Sequence, residues 1–162
     1  MVNESGLTEI DRQVKASVKM GAQVSVGGHR LDRKGFFYAP TVMTNITRDM
    51  PVMREEVFGP VAPVIVVEDA EEAVEVANAT EFGLGASVWT QDLSQAEKLC
   101  REIQSGVVTV NNVVASDPRV PFGGIKKSGI GRELGRYGLL EFTNVKTIRL
   151  YERRTEKVAA VE

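Results

Sequence analysis

Residues 107–133 read VVTVNNVVASDPRVPFGGIKKSGIGRE, and the interpretation of the whole chain starts from this stretch. It opens with four β-branched residues, Val107 to Val110, which is the composition of a buried strand. Asn111 and Asn112 end the run, and a polar loop follows. Four glycines then fall within nine residues. Because each glycine raises the conformational entropy lost on folding, this concentration indicates a segment whose backbone needs unusual conformations or close approaches.

These glycines match neither of two common phosphate-binding motifs. Gly124 and Gly129 have the spacing of a Walker phosphate loop, but Ile130 stands where that motif needs a lysine. The run from Gly129 to Gly135 is one residue too long for the dinucleotide-binding fingerprint, and it follows a loop rather than a strand. The spacing therefore disfavours a phosphate cradle in this segment.

The stretch resembles instead the C-terminal signature of the aldehyde dehydrogenase superfamily. A second segment, Arg54-Glu-Glu-Val-Phe-Gly-Pro60, is similar to the Glu-Glu-apolar-Phe-Gly-Pro motif of that family, and residues 78–92 are similar as well. The resemblance runs in register from about Leu7 to Tyr151. The matching residues of the signature are Asn111, Pro121-Phe-Gly-Gly124, Lys127-Ser-Gly129, Gly131-Arg-Glu133 and Tyr137-Gly138.

Composition bounds the class of protein. The 162 residues are 43% hydrophobic and 26% charged, as in a soluble globular domain. The net charge of −2 gives no footprint for nucleic acid, and no apolar run approaches the ~20 residues of a membrane span. The N-terminus lacks the pattern of a secretory signal, and the single cysteine suits a reducing cytoplasm. We therefore expect a cytoplasmic protein that binds neither nucleic acid nor membrane.

Alternating strand and helix patterns predict an α/β fold with a mainly parallel sheet and flanking helices. Leu7, Ile10, Val14 and Val18 recur at helical spacing, with Ser5 or Thr8 as possible caps and Gly21 as the stop. Strands are predicted at 24–26, 41–43, 63–67, 85–90, 107–110 and 145–151, and further helices at 49–54, after Asp69, after Asp92 and at 131–140.

The resemblance implies two parts. Residues 1–144 would belong to the C-terminal part of an aldehyde dehydrogenase catalytic domain, and residues 145–162 would be an oligomerisation strand and tail. In the family this strand joins a sheet of a neighbouring subunit, so we expect a homo-oligomer. An unpaired edge strand would otherwise invite non-native association.

The family oxidises aldehydes to acids with a nicotinamide cofactor, using a cysteine thiolate and a glutamate general base. Cys100 is the only cysteine, and it lies on the apolar stripe of a predicted helix, where a thiol is a small, inert hydrophobe. It also follows residues 54–60, whereas the family's nucleophile precedes that motif. We therefore predict no catalytic residue in this chain. The resemblance implies a C-terminal fragment of an NAD- or NADP-dependent enzyme, inactive without its N-terminal region.

Two residues are predicted to bind the cofactor. By resemblance, Glu56 would accept hydrogen bonds from the nicotinamide-ribose hydroxyls, a role that suits an ionised carboxylate. Phe58 would pack near the nicotinamide ring. The alternatives are a surface carboxylate and a core aromatic. The residues that distinguish NAD from NADP would lie in the missing region, so both cofactors remain open.

The substrate would bind through three further residues. The loop 113–120 is similar to that of a succinate-semialdehyde dehydrogenase group, in which a serine matching Ser116 helps to bind the distal carboxylate of the substrate. Arg119 offers a nearby cation, although Ser-Asp-Pro is also ordinary turn chemistry. Phe122 would line the aldehyde channel or simply pack in the core. Lactaldehyde and other small aldehydes stay open as substrates.

The sequence also bears on metal binding and on a second hypothesis for the function. No second histidine and no nearby cysteine accompanies His29, so no metal site is predicted. The second hypothesis for the whole chain is a non-catalytic α/β binding or assembly module that reuses this fold.

Overall fold

A computed structural model describes residues 1–152, in which five helices and seven strands follow one another. The helices are α1 (Glu4–Lys19), α2 (Pro51–Arg54), α3 (Ala70–Asn78), α4 (Leu93–Glu102) and α5 (Gly135–Glu141). The strands are β1 (Gln23–Val26), β2 (Thr41–Thr44), β3 (Val61–Pro63), β4 (Phe82–Gly83), β5 (Gly85–Val88), β6 (Val107–Val110) and β7 (Ile125–Lys126).

The strands form three small sheets. In the first, β2 pairs antiparallel with β1 and parallel with β3. Strands β5 and β6 pair in parallel, with α4 as the crossover between them, and β4 pairs antiparallel with β7. The α/β class is confirmed, but the sheets are mixed rather than mainly parallel. The physical reason is that β1 and β2 are joined by a loop without a helix, and β7 folds back onto β4.

Helix α1 shows how local chemistry sets an element's bounds. Its N-cap is Asn3, whose side chain accepts a hydrogen bond of 2.9 Å from the backbone N–H of Gly6. The predicted caps, Ser5 and Thr8, lie inside the helix instead. The predicted stop is confirmed, since the helix ends just before Gly21, whose φ of 110° few other residues could adopt.

The hydrophobic core lies almost entirely in the first third of the chain. It joins the apolar face of α1 to residues of β2, α2 and the connecting loops. Beyond Pro60, among the described residues, only Val88 and Ala96 are buried hydrophobic side chains. The helices and strands beyond Pro60 therefore leave most of their apolar side chains in contact with solvent. The core cluster consists of Leu7, Ile10, Val14, Ala22, Tyr38, Met43, Met50 and Val52.

Both predicted helix starts at acidic caps are confirmed. The Asp69 carboxylate accepts a 2.8 Å hydrogen bond from the N–H of Glu72, and α3 begins at the next residue. The Asp92 carboxylate accepts bonds from the N–H groups of Ser94 and Gln95 at the start of α4. These bonds satisfy amide groups that have no partner within the helix.

Three predicted elements differ in extent. The strand expected at 63–67 is instead Val61–Pro63, and only the N–H of Val64 continues its pairing, with the carbonyl of Met43. The strand expected at 85–90 ends at Val88. The helix expected at 131–140 begins at Gly135, because Glu133 is held in an antiparallel bridge with Phe122.

The predicted strand at 145–151 is wrong within this chain. Residues 145–152 form no regular element, and all are exposed to solvent. A strand needs a hydrogen-bonding neighbour, and the described part of the chain supplies none at this position. Residues 153–162, which make up most of the predicted tail, lie outside the described residues. The division into 1–144 and 145–162 stays a prediction.

Candidate functional site

Glu56 and Phe58 lie together on a tight turn between α2 and β3. The turn is closed by hydrogen bonds from the N–H of Gly59 to the carbonyl of Val57 and from the N–H of Val61 to the carbonyl of Gly59. Both residues are exposed to solvent, and Phe58 is 75% exposed. The alternative of a core aromatic at position 58 is therefore wrong for this chain. The turn presents a carboxylate and an open aromatic ring to the same space.

That space is a cavity of about 580 Å³ between the turn and the first turns of α1. Two carboxylates, those of Glu9 and Glu56, lie among mainly apolar neighbours, and none of the described residues adds a basic side chain to the lining. The lining residues are Met1, Val2, Gly6, Glu9, Ile10, Glu56, Val57, Phe58 and Gly59.

These residues fit one end of a nicotinamide dinucleotide. A carboxylate accepts well from two neighbouring ribose hydroxyls, and an exposed aromatic ring offers a face to a flat heterocycle. Glu9 is paired with Arg12, so the Glu56 carboxylate is the one that suits the positive charge of an oxidised nicotinamide ring. The same lining does not suit phosphate groups, because it lacks the basic side chains that bind them.

Two side chains of α1 form hydrogen bonds to residues 55 and 56, at this turn. Gln13 donates from Nε2 to the Glu55 carboxylate and to the Glu56 carbonyl, both at 3.1 Å. The guanidinium of Arg12 bridges the carboxylates of Glu55 and Glu9. The hydrogen bonds from Arg12 lower the pKa of Glu9, and the two carboxylates raise the pKa of Arg12. The turn that carries Glu56 is thus anchored to α1 through polar groups.

Ser116 and Arg119 share a second cavity, of about 700 Å³, with β6. Here the Asp117 carboxylate accepts from the backbone N–H of Arg119 at 2.9 Å and from its guanidinium at 2.6 and 2.9 Å. These bonds lower the pKa of Asp117. The capped turn expected from Ser-Asp-Pro is present, yet the Arg119 side chain stays 85% exposed. The turn reading and an anion-binding role for Arg119 are compatible.

Phe122 lies in a third cavity, of about 380 Å³, beside Leu84, Ile130 and Phe142. It is only partly buried, and its backbone exchanges two 2.8 Å hydrogen bonds with Glu133. The structure therefore places Glu56 and Phe58 in one cavity and Ser116 and Arg119 in another. It does not bring Phe122 into the cavity of Ser116 and Arg119 within this chain.

The sequence patterns did not identify Glu9 and Gln13, which line or support the first cavity. Gln13 is three residues after Ile10 and one before Val14, so it falls on the predicted apolar face of α1. A polar residue on an apolar stripe is the signal that could have singled it out.

The remaining candidates carry no site geometry. Cys100 lies on α4, in agreement with the predicted helix, but it is partly rather than fully buried. Within residues 1–152, no group of three His, Cys, Asp or Glu side chains is arranged to hold a metal ion. No helix in the described part of the chain is long and apolar enough to cross a bilayer.

The sequence model of the aldehyde dehydrogenase family matches residues 1–148. The chain belongs to the aldehyde dehydrogenase family. Among curated relatives, the NADP(+) succinate-semialdehyde dehydrogenase 1 of Mycobacterium bovis is 47% identical over 91% of this chain and 32% of its own length. A probable NADP(+) succinate-semialdehyde dehydrogenase of Synechocystis is 49% identical over 88% of this chain and 31% of its own length. The resemblance seen in the sequence is confirmed.

Solved structures of aldehyde dehydrogenases share the fold. An NAD-dependent aldehyde dehydrogenase from Sinorhizobium meliloti superposes with a TM-score of 0.92 at 42% identity, covering 99% of this chain and 32% of that one. Lactaldehyde dehydrogenase from Escherichia coli gives 0.85 at 34% identity, covering 88% of this chain and 30% of that one. This aldehyde dehydrogenase chain therefore spans about a third of the length of the relatives that it matches.

Proposed function

We propose that this chain is the C-terminal portion of an NAD(P)-dependent aldehyde dehydrogenase that oxidises succinate semialdehyde to succinate. The observation that carries the proposal is the pair formed by Glu56 and Phe58, which face one cavity with the chemistry of a nicotinamide-ribose site. The names of the relatives support the substrate and the cofactor class.

Within this proposal, the chain's own residues bind and orient. When bound, the cofactor would supply the hydride acceptor for the oxidation. Glu56 accepts hydrogen bonds from the ribose hydroxyls, and Phe58 limits the positions open to the nicotinamide ring. Neither residue moves a proton or attacks the substrate, so the chain supplies positioning rather than covalent chemistry.

The substrate end of the proposal rests on the loop 113–120. Ser116 would donate a hydrogen bond to the distal carboxylate of succinate semialdehyde, and Arg119 would add an attractive charge. Because Asp117 already balances the charge of Arg119, the hydroxyl of Ser116 is the more specific of the two contacts. Phe122 joins this end only if the rest of the enzyme closes the space between the cavities.

A partner region is part of the proposal. The groups that bind the cofactor phosphates, the nucleophilic cysteine and the general base would come from the N-terminal region of the enzyme. This agrees with a cofactor cavity that is lined by no basic side chain among residues 1–152. The open apolar faces of the second half would pack against that region. No observation favours the alternative of a module that does not take part in oxidation.

The test combines this chain with the two-thirds of a close relative that precedes the matched segment. Co-expression should yield a complex that reduces NAD or NADP with succinate semialdehyde faster than with lactaldehyde. Ser116→Ala should raise KM for succinate semialdehyde and leave KM for lactaldehyde unchanged. A complex that forms but reduces neither cofactor would contradict the proposal.

A further inference from the structure

Gln13 is the most deeply buried polar side chain that contacts the proposed cofactor turn. It is 1% exposed and lies on the face of α1 that packs in the core, beside Ile10 and Val14. Both of its hydrogen-bonding partners, the Glu55 carboxylate and the Glu56 carbonyl, are acceptors. The amide nitrogen must therefore face the turn, since only the nitrogen can donate.

The other half of the same amide is left without a partner. Oε1 of Gln13 is the only buried side-chain nitrogen or oxygen in the described part of the chain that makes no hydrogen bond. An unpartnered buried acceptor costs stability, whereas methionine has a similar length and no such group. Stability alone would thus favour an apolar residue here. What glutamine adds is the pair of bonds to residues 55 and 56.

Those two bonds fix the part of the turn that directs Glu56. The bond to the Glu56 carbonyl holds the backbone at that residue. The bond to the Glu55 carboxylate holds the side chain of the preceding residue. The side chain of Glu56 takes part in neither bond, so its carboxylate stays free to face the cavity. Arg12 adds a second contact to Glu55, at a more exposed position.

We propose that Gln13 is a positioning residue for cofactor binding, which fixes the backbone of Glu56 so that its carboxylate meets the nicotinamide ribose. This inference rests on the proposed function of Glu56. It predicts that Gln13 affects the cofactor through Glu56 and has no direct contact with the cofactor.

The first test uses the 162-residue chain by itself. Gln13→Met should speed hydrogen exchange of the amides in 55–61 by about fivefold to tenfold, the effect of losing one net hydrogen bond, and should not lower Tm. The matched control is Gln104→Met, at an exposed glutamine outside the turn. Unchanged exchange in 55–61, or a loss of protection spread over the whole chain, would overturn the inference.

The second test uses the complex with the N-terminal region and measures NADPH binding by fluorescence. Gln13→Met should weaken binding by about fivefold to tenfold, while KM for the aldehyde stays unchanged. Binding of 2′,5′-ADP, which lacks the nicotinamide ribose, should not change. In the double variant with Glu56→Gln, binding should be no weaker than in Glu56→Gln alone, because both changes remove the same contact.

The two proposals fail in different ways. If Glu56→Gln leaves NADPH binding unchanged, the proposed role of Glu56 is wrong, and the inference on Gln13 falls with it. If Glu56→Gln weakens binding and Gln13→Met does not, the proposed function stands and the inference on Gln13 is wrong. If the two effects simply add, Gln13 acts independently of Glu56, which also overturns the inference.

Discussion

At the scale of single residues, Glu56 differs from the neighbouring carboxylates of Glu55 on its turn and Glu9 on α1. Arg12 forms ion pairs with Glu55 and Glu9, whereas the carboxylate of Glu56 forms no ion pair within the described residues. A free carboxylate at the edge of an open cavity is available to a ligand. Its neighbour Phe58 exposes apolar surface to water, which is unfavourable. A bound ring would cover that surface.

The first prediction is that Glu56→Gln weakens NAD(P) binding in the complex with the N-terminal region by about tenfold or more. A neutral amide oxygen accepts from ribose hydroxyls less strongly than a carboxylate, and a charge-assisted bond is worth ~1.5–3 kcal/mol. Fluorescence titration with NADPH measures the change. Glu68→Gln, at an exposed carboxylate away from the cavity, is the control. Equal affinity of both variants for the cofactor would contradict the assignment.

Tyr38 is a second residue with a measurable signature. Its ring is buried in the core, and its hydroxyl lies 3.4 Å from the Asp11 carboxylate. Burial, together with the negative charge of Asp11, raises the pKa of Tyr38 to about 12, from 10.0. The folded state therefore keeps its phenol proton at a pH where the unfolded chain has lost it.

The second prediction follows from the sign of that shift. The contribution to the free energy of unfolding is fully present below pH 10 and is lost as the pH rises from about 10 to about 12, by at most roughly 3 kcal/mol. Denaturant unfolding at several alkaline pH values measures it. Tyr38→Phe has no proton to lose, so its stability should fall less over this range. Parallel pH curves for the two proteins would refute the shift.

At the scale of elements, α3 shows reciprocal capping. Asp69 accepts from the N–H of Glu72, and the Glu72 carboxylate accepts in return, at 2.7 Å, from the N–H of Glu68. No residue of α3 is fully buried, so tertiary packing contributes less to this helix than to α1. Its stability should depend strongly on the cap.

The third prediction is that Asp69→Ala lowers the free energy of unfolding by about 1 kcal/mol, because the first-turn amides lose their acceptor. Asp69→Ser should recover most of the loss, since a hydroxyl can accept the same bond. Urea unfolding followed by circular dichroism measures both variants. An alanine variant as stable as the serine variant would show that the cap contributes nothing.

The segment 145–151 is the element whose state depends most on a partner. Its side chains Val145, Ile148, Leu150 and Tyr151 are all largely exposed, and Val145, Ile148 and Tyr151 belong to the β-forming residue types. Such a segment forms a strand when another sheet edge supplies hydrogen bonds. This is why the sequence pattern predicts a strand that the single chain does not contain.

The fourth prediction is that the chain forms dimers or larger species at micromolar concentration, and that deletion of residues 145–162 abolishes them. The expected contact is strand addition through the backbone, with apolar side chains buried beneath it. Light scattering after size exclusion measures the mass. The control is a variant that lacks only residues 153–162 and keeps 145–152. This variant should still assemble. A monomeric full chain, or assembly that survives the larger deletion, would contradict the role of this segment.

At the scale of the whole molecule, the core is one-sided. The first third buries its apolar residues, while large apolar side chains such as Trp89, Ile130 and Phe142 stay exposed in the rest. Exposed apolar side chains mark an interaction face when they form one continuous patch. Under the proposed function, these side chains would pack against the N-terminal region of the enzyme.

The fifth prediction is that the purified chain alone does not oxidise succinate semialdehyde with NAD or NADP. Cys100, its only cysteine, is partly buried on α4, and the proposed nucleophile and general base lie in the other region. Absorbance of the reduced cofactor measures the reaction, with the complex as positive control. Activity of the chain alone that is abolished by Cys100→Ala would overturn this expectation.

The sequence by itself determined the family, the α/β class and the starts of several elements, namely β2, α3, β5, α4 and β6. Asp69, Asp92 and Gly21 act through bonds and backbone conformations within a few residues, so their effects are visible in local sequence. The side chains of Glu56 and Phe58 lie close together for the same reason, because one local turn carries both. The family resemblance added the proposed roles of Glu56 and Phe58.

Only the tertiary structure decided the rest, because those features depend on contacts between distant parts of the chain. Gln13 lies more than forty residues before the turn that it holds, and no local pattern connects the two. The antiparallel return of β7 onto β4 and the separation of Phe122 from Ser116 also arise from long-range packing. Residues 145–151 show the same principle in reverse: their pattern specifies a strand, but pairing needs a partner edge, which the described part of this chain does not supply.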